Sequence, residues 1–312
     1  MRSSKRSSLI VALLVFGLAL TGCAESSAEG RQPDVTATPA PTPTATVAAG
    51  RHRDIQYREV DGQPLLLDAC IPEGDGPVAA IVLVHGGGFV AGDRTSLGGL
   101  CGDLAKAGYA AFSIDYRLAP ANVYPSQVED LTAAVEWLRQ PEQVATYGID
   151  PARIGVVGSS AGGILAQSIG TAGEGDRTTG SRVAAVVSLS GASVFTEQAL
   201  QLGTPTKEGA AMILSYLHCK PTAPDACPNA APASPITAID PTDPPFLMYN
   251  STQEIVPIEQ ARAMRDALAA AGVPITLVEV PGTSHGVDIL RTEGQGQLLD
   301  FLAATLGAPV QG

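Results

Sequence analysis

The sequence predicts a single α/β domain in which helices cover both faces of a mostly parallel central sheet. Two kinds of segment alternate along most of the chain. One kind is a short apolar run bounded by Gly or Pro, as in a buried strand, and the other repeats apolar residues every three or four positions, as in a helix. This alternation implies crossover connections between parallel strands. With 312 residues, 45% of them hydrophobic, the chain has enough apolar material for one sizeable core.

Seven segments have the composition of buried strands. In chain order they are Leu65–Ala69, Val78–Val84, Tyr109–Ile114, Arg153–Val157, Val183–Leu189, Phe246–Tyr249 and Ile275–Val280. Two of the segments between them are clear amphipathic helices. One spans Gln127–Arg139, and the other begins after Pro257 and stops at Gly272.

The N-terminal residues are predicted to lie outside the folded domain. Basic residues precede an apolar run from Leu9 to Leu20, which is short for a membrane span but suits the core of a signal peptide. The run leads into Leu-Thr-Gly-Cys, which resembles a bacterial lipobox and implies cleavage before Cys23 and attachment of a lipid to its sulfur. An ordinary secretory signal with an incidental Cys is the alternative.

These features give a three-part organisation of the chain. We expect a lipoprotein signal peptide over residues 1–22, then the lipidated Cys23 and a disordered Pro/Thr/Ala tether over residues 23–52. The α/β domain is expected over residues 53–312. The mature protein is then expected on the outer face of a bacterial cell membrane, held by the acyl chains on Cys23.

The other four cysteines, Cys70, Cys101, Cys219 and Cys227, are an even number in an exported chain, which predicts two disulfides. Cys219 and Cys227 flank a Pro-rich loop and are favoured as a pair, leaving Cys70 with Cys101. The sequence by itself permits three connectivities. A metal site is the alternative, but no Cys-x-x-Cys or paired-His spacing accompanies these residues.

A turn rich in Gly and Ser is the strongest candidate for catalytic chemistry. Residues 158–162 read Gly-Ser-Ser-Ala-Gly and join a predicted strand to an apolar helical stretch. This context puts the central Ser160 in a strained, exposed turn, and Gly158 and Gly162 supply the small side chains that the turn requires. The N-terminus of the helix also favours developing negative charge. The turn predicts Ser160 as a nucleophile, with an ordinary Gly/Ser turn as the alternative.

A glycine-rich loop follows the predicted strand Val78–Val84 and reads His-Gly-Gly-Gly-Phe. Consecutive glycines let backbone N–H groups approach a substrate oxygen, as an oxyanion hole requires. Loops of this type act together with the N–H of the residue after the nucleophile, here Ala161. A flexible turn is the alternative for the loop alone. Phe89 and Val90, at its end, are candidate walls of a substrate pocket.

A serine nucleophile also needs a proton acceptor within hydrogen-bond reach. Of the four histidines, His285 lies on a loop after the last predicted strand, where the base is found in the chain order Ser, acid, His. His52 lies at the boundary of the tether and His218 beside a predicted disulfide. His285 is therefore the predicted base, with a solvated loop histidine as the alternative.

The order of these motifs resembles bacterial carboxylesterases of the hormone-sensitive-lipase-like and feruloyl-esterase-like groups of the α/β-hydrolase fold. The resemblance runs from Tyr57 to about Leu306 and is carried by HGGGF, DYRLAP, YP before a helix, GSSAGG and SHG. It implies Gly87, Gly88 and Ala161 as oxyanion donors, and a His85 that stabilises the glycine loop without being catalytic. The chain differs from lipase-like members at Ser159, where they often carry an acid, and in lacking their large N-terminal cap, which favours a compact and open esterase site.

The acid of the triad is expected after the strand Phe246–Tyr249. Similar proteins read Gly-Thr-x-Asp-x-x-Val-Pro here, a register that puts Gln253 at the acid position and Glu254 one residue later. Because an amide cannot stabilise an imidazolium as a carboxylate does, and because loops tolerate a one-residue change, we assign the role to Glu254. The alternatives are that Glu254 is a solvated residue at the start of a helix, and that Asp288 is the acid.

The sequence thus predicts a serine hydrolase that cleaves small-molecule carboxylic esters through an acyl-enzyme and needs no cofactor or metal. Amide or peptide hydrolysis by the same residues is one alternative. A non-catalytic binding lipoprotein is another, favoured only by Gln253. A formal net charge of −12 argues against nucleic acid as a partner, because there is no excess of Lys and Arg to neutralise phosphates. In the region between the fifth and sixth predicted strands, the apolar segment Ala211–Leu217 either lines an acyl pocket or belongs to the core.

Overall fold

The computed structural model of the protein describes residues 47–74, 76–220 and 226–308. Eight strands form one sheet: β1 (Gly50–Val60), β2 (Gln63–Ile71), β3 (Val78–Val84), β4 (Ala110–Ile114), β5 (Ile149–Ser159), β6 (Ala185–Leu189), β7 (Phe246–Ser251) and β8 (Ile275–Val280). Their spatial order is β1-β2-β4-β3-β5-β6-β7-β8. Strand β2 runs antiparallel to both of its neighbours, β1 and β4. The six strands β4, β3, β5, β6, β7 and β8 run parallel to one another. The predicted α/β class with a mostly parallel sheet is confirmed.

Helices cover both faces of the sheet. They are α1 (Gly98–Lys106), α2 (Ser126–Leu138), α3 (Pro141–Tyr147), α4 (Ala161–Gly170), α5 (Lys207–Tyr216), α6 (Ile258–Ala270), α7 (Ile289–Glu293) and α8 (Gly296–Leu306). The buried residues of α2, α4 and α6 join the core on one face, and those of α1, α7 and α8 join the core on the other. Strand β3 contributes alternate residues to each core, which is why it reads as a continuous apolar run.

The two helices predicted from periodicity are present as α2 and α6. The apolar residues that define the α6 pattern, Ile258, Ala261, Met264 and Leu268, are all buried. The intervening charged residues are partly or fully exposed. The spacing of apolar residues therefore predicted both the helix and the face that it buries.

The N-terminal boundary of the domain differs from the prediction at Arg53. The described chain donates a hydrogen bond from Val47 N to Thr146 O (2.7 Å), and β1 begins at Gly50, so the last residues of the predicted tether belong to the domain. β1 is an edge strand in which Tyr57 is the one buried residue. Because β1 lies at the edge of the sheet and most of its side chains are at least partly exposed, it lacks the apolar pattern by which the other strands were predicted. The predicted signal peptide, Cys23 and residues 24–46 lie outside the described residues.

Two disulfides connect the cysteines of the domain in the favoured pairing. Cys70 and Cys101, with Cα atoms 5.7 Å apart, join β2 to α1. Cys219 and Cys227, with Cα atoms 4.4 Å apart, close the loop that follows α5.

Within the described ranges, no helix combines the length and apolar character needed to cross a membrane.

Candidate active site

Five loops meet where the parallel strands β3, β5, β6, β7 and β8 end. Because parallel strands present their C-terminal ends at the same edge of a sheet, residues far apart in sequence are brought together there. In chain order these loops carry Gly87, Ser160, Ser190, Glu254 and His285.

Ser160 lies in a sharp turn between β5 and α4. Its backbone has φ 55° and ψ −116°, a conformation that non-glycine residues rarely adopt. The turn is closed on both sides by close backbone contacts. A Cβ atom at Gly158 would lie 2.0 Å from Gly162 O, and one at Gly162 would lie 2.0 Å from Val84 O. The two glycines are therefore steric requirements of the turn that presents Ser160.

Ser160, His285 and Glu254 lie together in the structure, with His285 in contact with the other two residues. His285 Nε2 lies 2.8 Å from Ser160 Oγ, and His285 Nδ1 is hydrogen-bonded to Glu254 Oε2. The Glu254 side chain has no exposed surface, whereas the His285 side chain is 33% exposed. The arrangement joins a hydroxyl, an imidazole and a buried carboxylate in the order that nucleophilic catalysis by serine requires.

The neighbouring candidates for the acid do not reach His285. Gln253 is exposed, and its N–H donates to Gly282 O (2.9 Å), which keeps the start of the loop beside the segment after β8. Asp288 forms an ion pair with Arg291 at 3.1 Å. Among Gln253, Glu254 and Asp288, only Glu254 contacts the imidazole.

Three serine hydroxyls hold the loop that carries His285. Gly286 N donates to Ser190 Oγ (2.8 Å), and Val287 N donates to Ser159 Oγ (2.9 Å). Ser251 Oγ donates to Ser284 O (2.6 Å). The sequence does not mark Ser190 or Ser251, since a serine at the end of a strand has no distinguishing pattern. Their roles appear only when the strands are placed side by side.

The glycine loop after β3 lies against the nucleophile. A Cβ atom at Gly86 would be 3.1 Å from Ser160 Cβ, and Gly87 and Gly88 have φ angles of 108° and 61°. Among the described residues, none accepts a hydrogen bond from the N–H of Gly87, Gly88 or Ala161. These three donors are consequently available to a ligand.

The buried side chain of His85 stabilises this glycine loop. It is 1% exposed, and its ring stacks on Tyr116 with centroids 4.2 Å apart. Its Nδ1 lies 2.7 Å from Gly86 O, and Tyr116 donates a hydrogen bond to His85 O (3.0 Å). Burial lowers the pKa of His85, which favours the neutral ring at neutral pH. This environment agrees with a structural rather than a catalytic histidine.

An apolar cavity of about 370 Å³ opens beside Ser160. Its walls include Ile164, Ala192, Val194, Phe195, Leu202, Met212, Ile213, Leu217, Ile255 and Val256. Four residues of Ala211–Leu217 are among the lining residues, so this segment forms a pocket wall. Met212 also packs directly over the glycine loop, since a Cβ atom at Gly88 would lie 2.1 Å from Met212 Sδ.

The two predicted pocket residues at the end of the glycine loop have different surroundings. Phe89 lines the cavity, is fully buried and stacks on Tyr216 with ring centroids 3.7 Å apart. Val90 is not part of the cavity wall, which corrects the prediction. Its N–H donates to Gly87 O (3.1 Å) in a tight turn, and its side chain is 38% exposed. The turn that follows the glycines directs the two neighbouring side chains to different environments.

The sheet topology and this constellation define a serine hydrolase of the α/β-hydrolase fold. Residues 67–268 match the BD-FAE family, and the chain belongs to that family. It is 31% identical to the esterase LipC of Mycobacterium tuberculosis over 291 residues, which span 86% of this chain and 69% of that protein. An ethyl acetate hydrolase of Pseudomonas putida is 39% identical over 117 residues, a stretch covering 36% of each chain.

A solved structure agrees with these sequence relationships. The butyrate-bound thermophilic esterase Est2 of Thermogutta terrifontis superposes with a TM-score of 0.68 at 25% identity, covering 84% of this chain and 97% of that chain. The relatives in sequence and in structure are esterases, and the chain is a carboxylic ester hydrolase of the serine type.

Proposed function

We propose that this protein hydrolyses small-molecule carboxylic esters through an acyl-enzyme formed on Ser160. The observation that carries the proposal is the contact between Ser160 Oγ and His285 Nε2 at 2.8 Å, with Glu254 bonded to the other ring nitrogen. A general base within this distance can accept the hydroxyl proton as the oxygen attacks. Glu254 orients the ring and stabilises the imidazolium that forms.

In the first half of the reaction, Ser160 Oγ bonds to the carbonyl carbon of the ester while its proton passes to His285 Nε2. The carbonyl oxygen becomes an oxyanion, which the N–H groups of Gly87, Gly88 and Ala161 are placed to bind. Collapse of this intermediate breaks the bond to the alcohol oxygen. That oxygen takes the proton from His285 Nε2 and leaves as the free alcohol, so the acyl group remains on Ser160.

In the second half, a water molecule takes the place of the alcohol. His285 Nε2 accepts one proton from the water as its oxygen attacks the acyl carbon, and the same N–H donors bind the new oxyanion. The bond to Ser160 Oγ then breaks, and the proton on His285 Nε2 returns to the serine oxygen. The carboxylic acid leaves, and the enzyme is restored without a cofactor.

The cavity beside Ser160 supports an apolar acyl group as the part of the substrate that enters it. Its wall is formed by aliphatic side chains, Phe89 and Phe195, with few polar groups. Burial of each methylene in such surroundings contributes about 0.8 kcal/mol, which is about a fourfold gain in binding. The ester carbonyl then lies at the mouth of the cavity, between Ser160 and the glycine loop.

A panel of p-nitrophenyl esters tests this proposal. With acetyl, butyryl, hexanoyl and octanoyl groups, kcat/KM is expected to rise by up to about fourfold per methylene until the cavity is filled. A fluorophosphonate probe is expected to label the protein at Ser160, identified by peptide mass spectrometry. Rates that decline steadily from the acetate, or labelling at another residue, would contradict the proposal. Aminoacyl anilides cleaved as fast as the matched esters would favour the amidase alternative.

We further propose that the protein is exported and anchored to a membrane by lipid on Cys23. The support is the sequence: basic residues, an apolar run from Leu9 to Leu20, and Leu-Thr-Gly-Cys at its end. A tether rich in Pro, Thr and Ala then separates the lipid from the catalytic domain. Acyl chains buried in a bilayer supply the membrane affinity.

Expression of the full chain in a bacterium that processes lipoproteins tests the anchor. The parent is expected in the detergent-extractable membrane fraction and to incorporate labelled palmitate. The Cys23→Ala variant should take up no label, because the acceptor sulfur is missing. Equal labelling of both forms, or a soluble parent, would contradict the proposed lipid anchor. The assignment of Ser160 as the nucleophile would be unaffected.

A further inference from the structure

Ser190 lies directly after β6 and is buried in an unusual backbone conformation. Its side chain is fully buried and its φ is 58°, in the left-handed region that non-glycine residues rarely adopt. Its N–H donates to Tyr249 O (2.8 Å), which continues the parallel pairing of β6 with β7. The turn therefore keeps the Ser190 backbone in the sheet and leaves its hydroxyl at the edge where the catalytic loops meet.

The hydroxyl of Ser190 connects two parts of the catalytic machinery. It donates to Glu254 Oε1 (2.8 Å) and accepts a hydrogen bond from Gly286 N, next to His285 (2.8 Å). We propose that Ser190 is a positioning residue that fixes the acid and the histidine loop relative to each other. This inference rests on the function proposed for Ser160, His285 and Glu254.

The segment after Ser190 is held by buried amide side chains. Gln260 Oε1 accepts hydrogen bonds from Ser193 N (3.0 Å) and Val194 N (2.9 Å). Gln167 donates to Gly191 O (3.0 Å) and accepts from Ser193 Oγ (2.7 Å). Because buried networks with satisfied hydrogen bonds are rigid, Ser190 cannot easily shift to follow the loops that it contacts. The rigid partner in these contacts is Ser190, and the loops of Glu254 and His285 are fixed by it.

Ser190 acts on the reaction through its neighbours. Glu254 Oε1 has a second donor, Ser251 N (2.8 Å), whereas Gly286 N bonds to Ser190 alone among the described residues. Loss of the hydroxyl therefore leaves a buried N–H unpaired beside His285 and removes one of two donors from Oε1. The ring of His285 must stay in place through proton transfers in both halves of the reaction, so the effect falls on kcat.

Two substitutions at Ser190 separate the hydroxyl from the backbone. Ser190→Ala removes the hydroxyl and keeps the Cβ atom at positive φ, whereas Ser190→Gly removes the hydroxyl and relieves the backbone restriction. We expect both variants to lower kcat by about 10- to 100-fold, with KM changed less than about threefold. Ser190→Gly also gives an answer if Ser190→Ala does not fold. Ser113→Ala is the matched control, since Ser113 is equally buried on β4 and donates only to Arg94 O (2.6 Å).

A second background tests whether Ser190 acts through Glu254. In Glu254→Gln, where the acid is already lost, adding Ser190→Ala is expected to lower kcat by a smaller factor than it does in the parent, because the contact with Glu254 Oε1 no longer contributes and only the contact with Gly286 N remains. Parental kcat in Ser190→Gly, or a loss confined to KM, would overturn the positioning role. Failure of the proposed function would give a different result, because the Ser160→Ala variant would then still hydrolyse the ester.

Discussion

Replacing Ser160 with alanine is expected to lower kcat for p-nitrophenyl butyrate by about 10⁵- to 10⁶-fold, as removal of the nucleophile does in other serine hydrolases. The reason is that the acyl-enzyme cannot form without the hydroxyl. The cavity and the glycine-loop donors remain, so KM should change little and a small rate above the uncatalysed reaction should persist. Steady-state kinetics on purified protein with active-site titration of the parent measure the effect.

The control for this experiment is Ser168→Ala in the same helix. Ser168 Oγ donates to Ile164 O (2.9 Å) inside α4 and has no contact with His285, so this variant should retain parental rates. Fluorophosphonate labelling should disappear in Ser160→Ala and persist in Ser168→Ala. An active Ser160→Ala enzyme that is still labelled would mean that another nucleophile performs the reaction.

Substitution of Glu254 is expected to have the second largest effect. Glu254→Gln should lower kcat by about 10⁴-fold, the size of effect known when the triad acid of a serine protease becomes an amide. An amide that presents its NH₂ group to Nδ1 selects the wrong tautomer of the imidazole, and in either orientation it cannot stabilise the imidazolium as a charged carboxylate does. Complete burial of the Glu254 side chain makes the loss more severe, because water cannot replace the carboxylate.

Gln253→Ala is the matched control for Glu254. Gln253 is the adjacent residue, it is exposed, and its N–H to Gly282 O bond survives the change. Rates within about twofold of the parent are expected for this surface substitution. The assignment of the acid fails if Gln253→Ala is the more damaging change, or if Glu254→Gln keeps the parental rate while Asp288→Asn loses it.

Much of the site could be predicted because its steric and chemical requirements restrict which residues can occupy short segments of the sequence. Gly158 and Gly162 are needed for the turn at Ser160 and therefore mark it. The apolar run of β3 leads directly into the glycine loop. A histidine after the last strand completes the pattern expected from the order of the motifs. The relatives support the same family, and the geometry supports the same three residues.

Other features could not be predicted because their pattern is weak or is set by contacts across the fold. β1 is an exposed edge strand and lacks the short apolar run that identified the other strands. Val90 follows Phe89 in sequence, yet the turn after the glycines leaves it exposed, while Phe89 is buried on Tyr216. Ser190 and Ser251 act through bonds to residues 33 or more positions away, except for the bond from Ser251 N to the nearby Glu254.

The sequence by itself determined the fold class and the glycine loop and predicted the nucleophile and the base. The strands, the turn at Ser160 and the glycine loop depend on side-chain size or periodicity within a short segment, and His285 is marked by the order of the motifs. The tertiary structure decided how the acid and the loops are placed. It directs Gln253 outward and Glu254 inward, and it brings Ser190 between Glu254 and Gly286. The physical reason is that a parallel sheet gathers the ends of distant strands at one edge, where hydrogen bonds form between residues that have no fixed spacing along the chain.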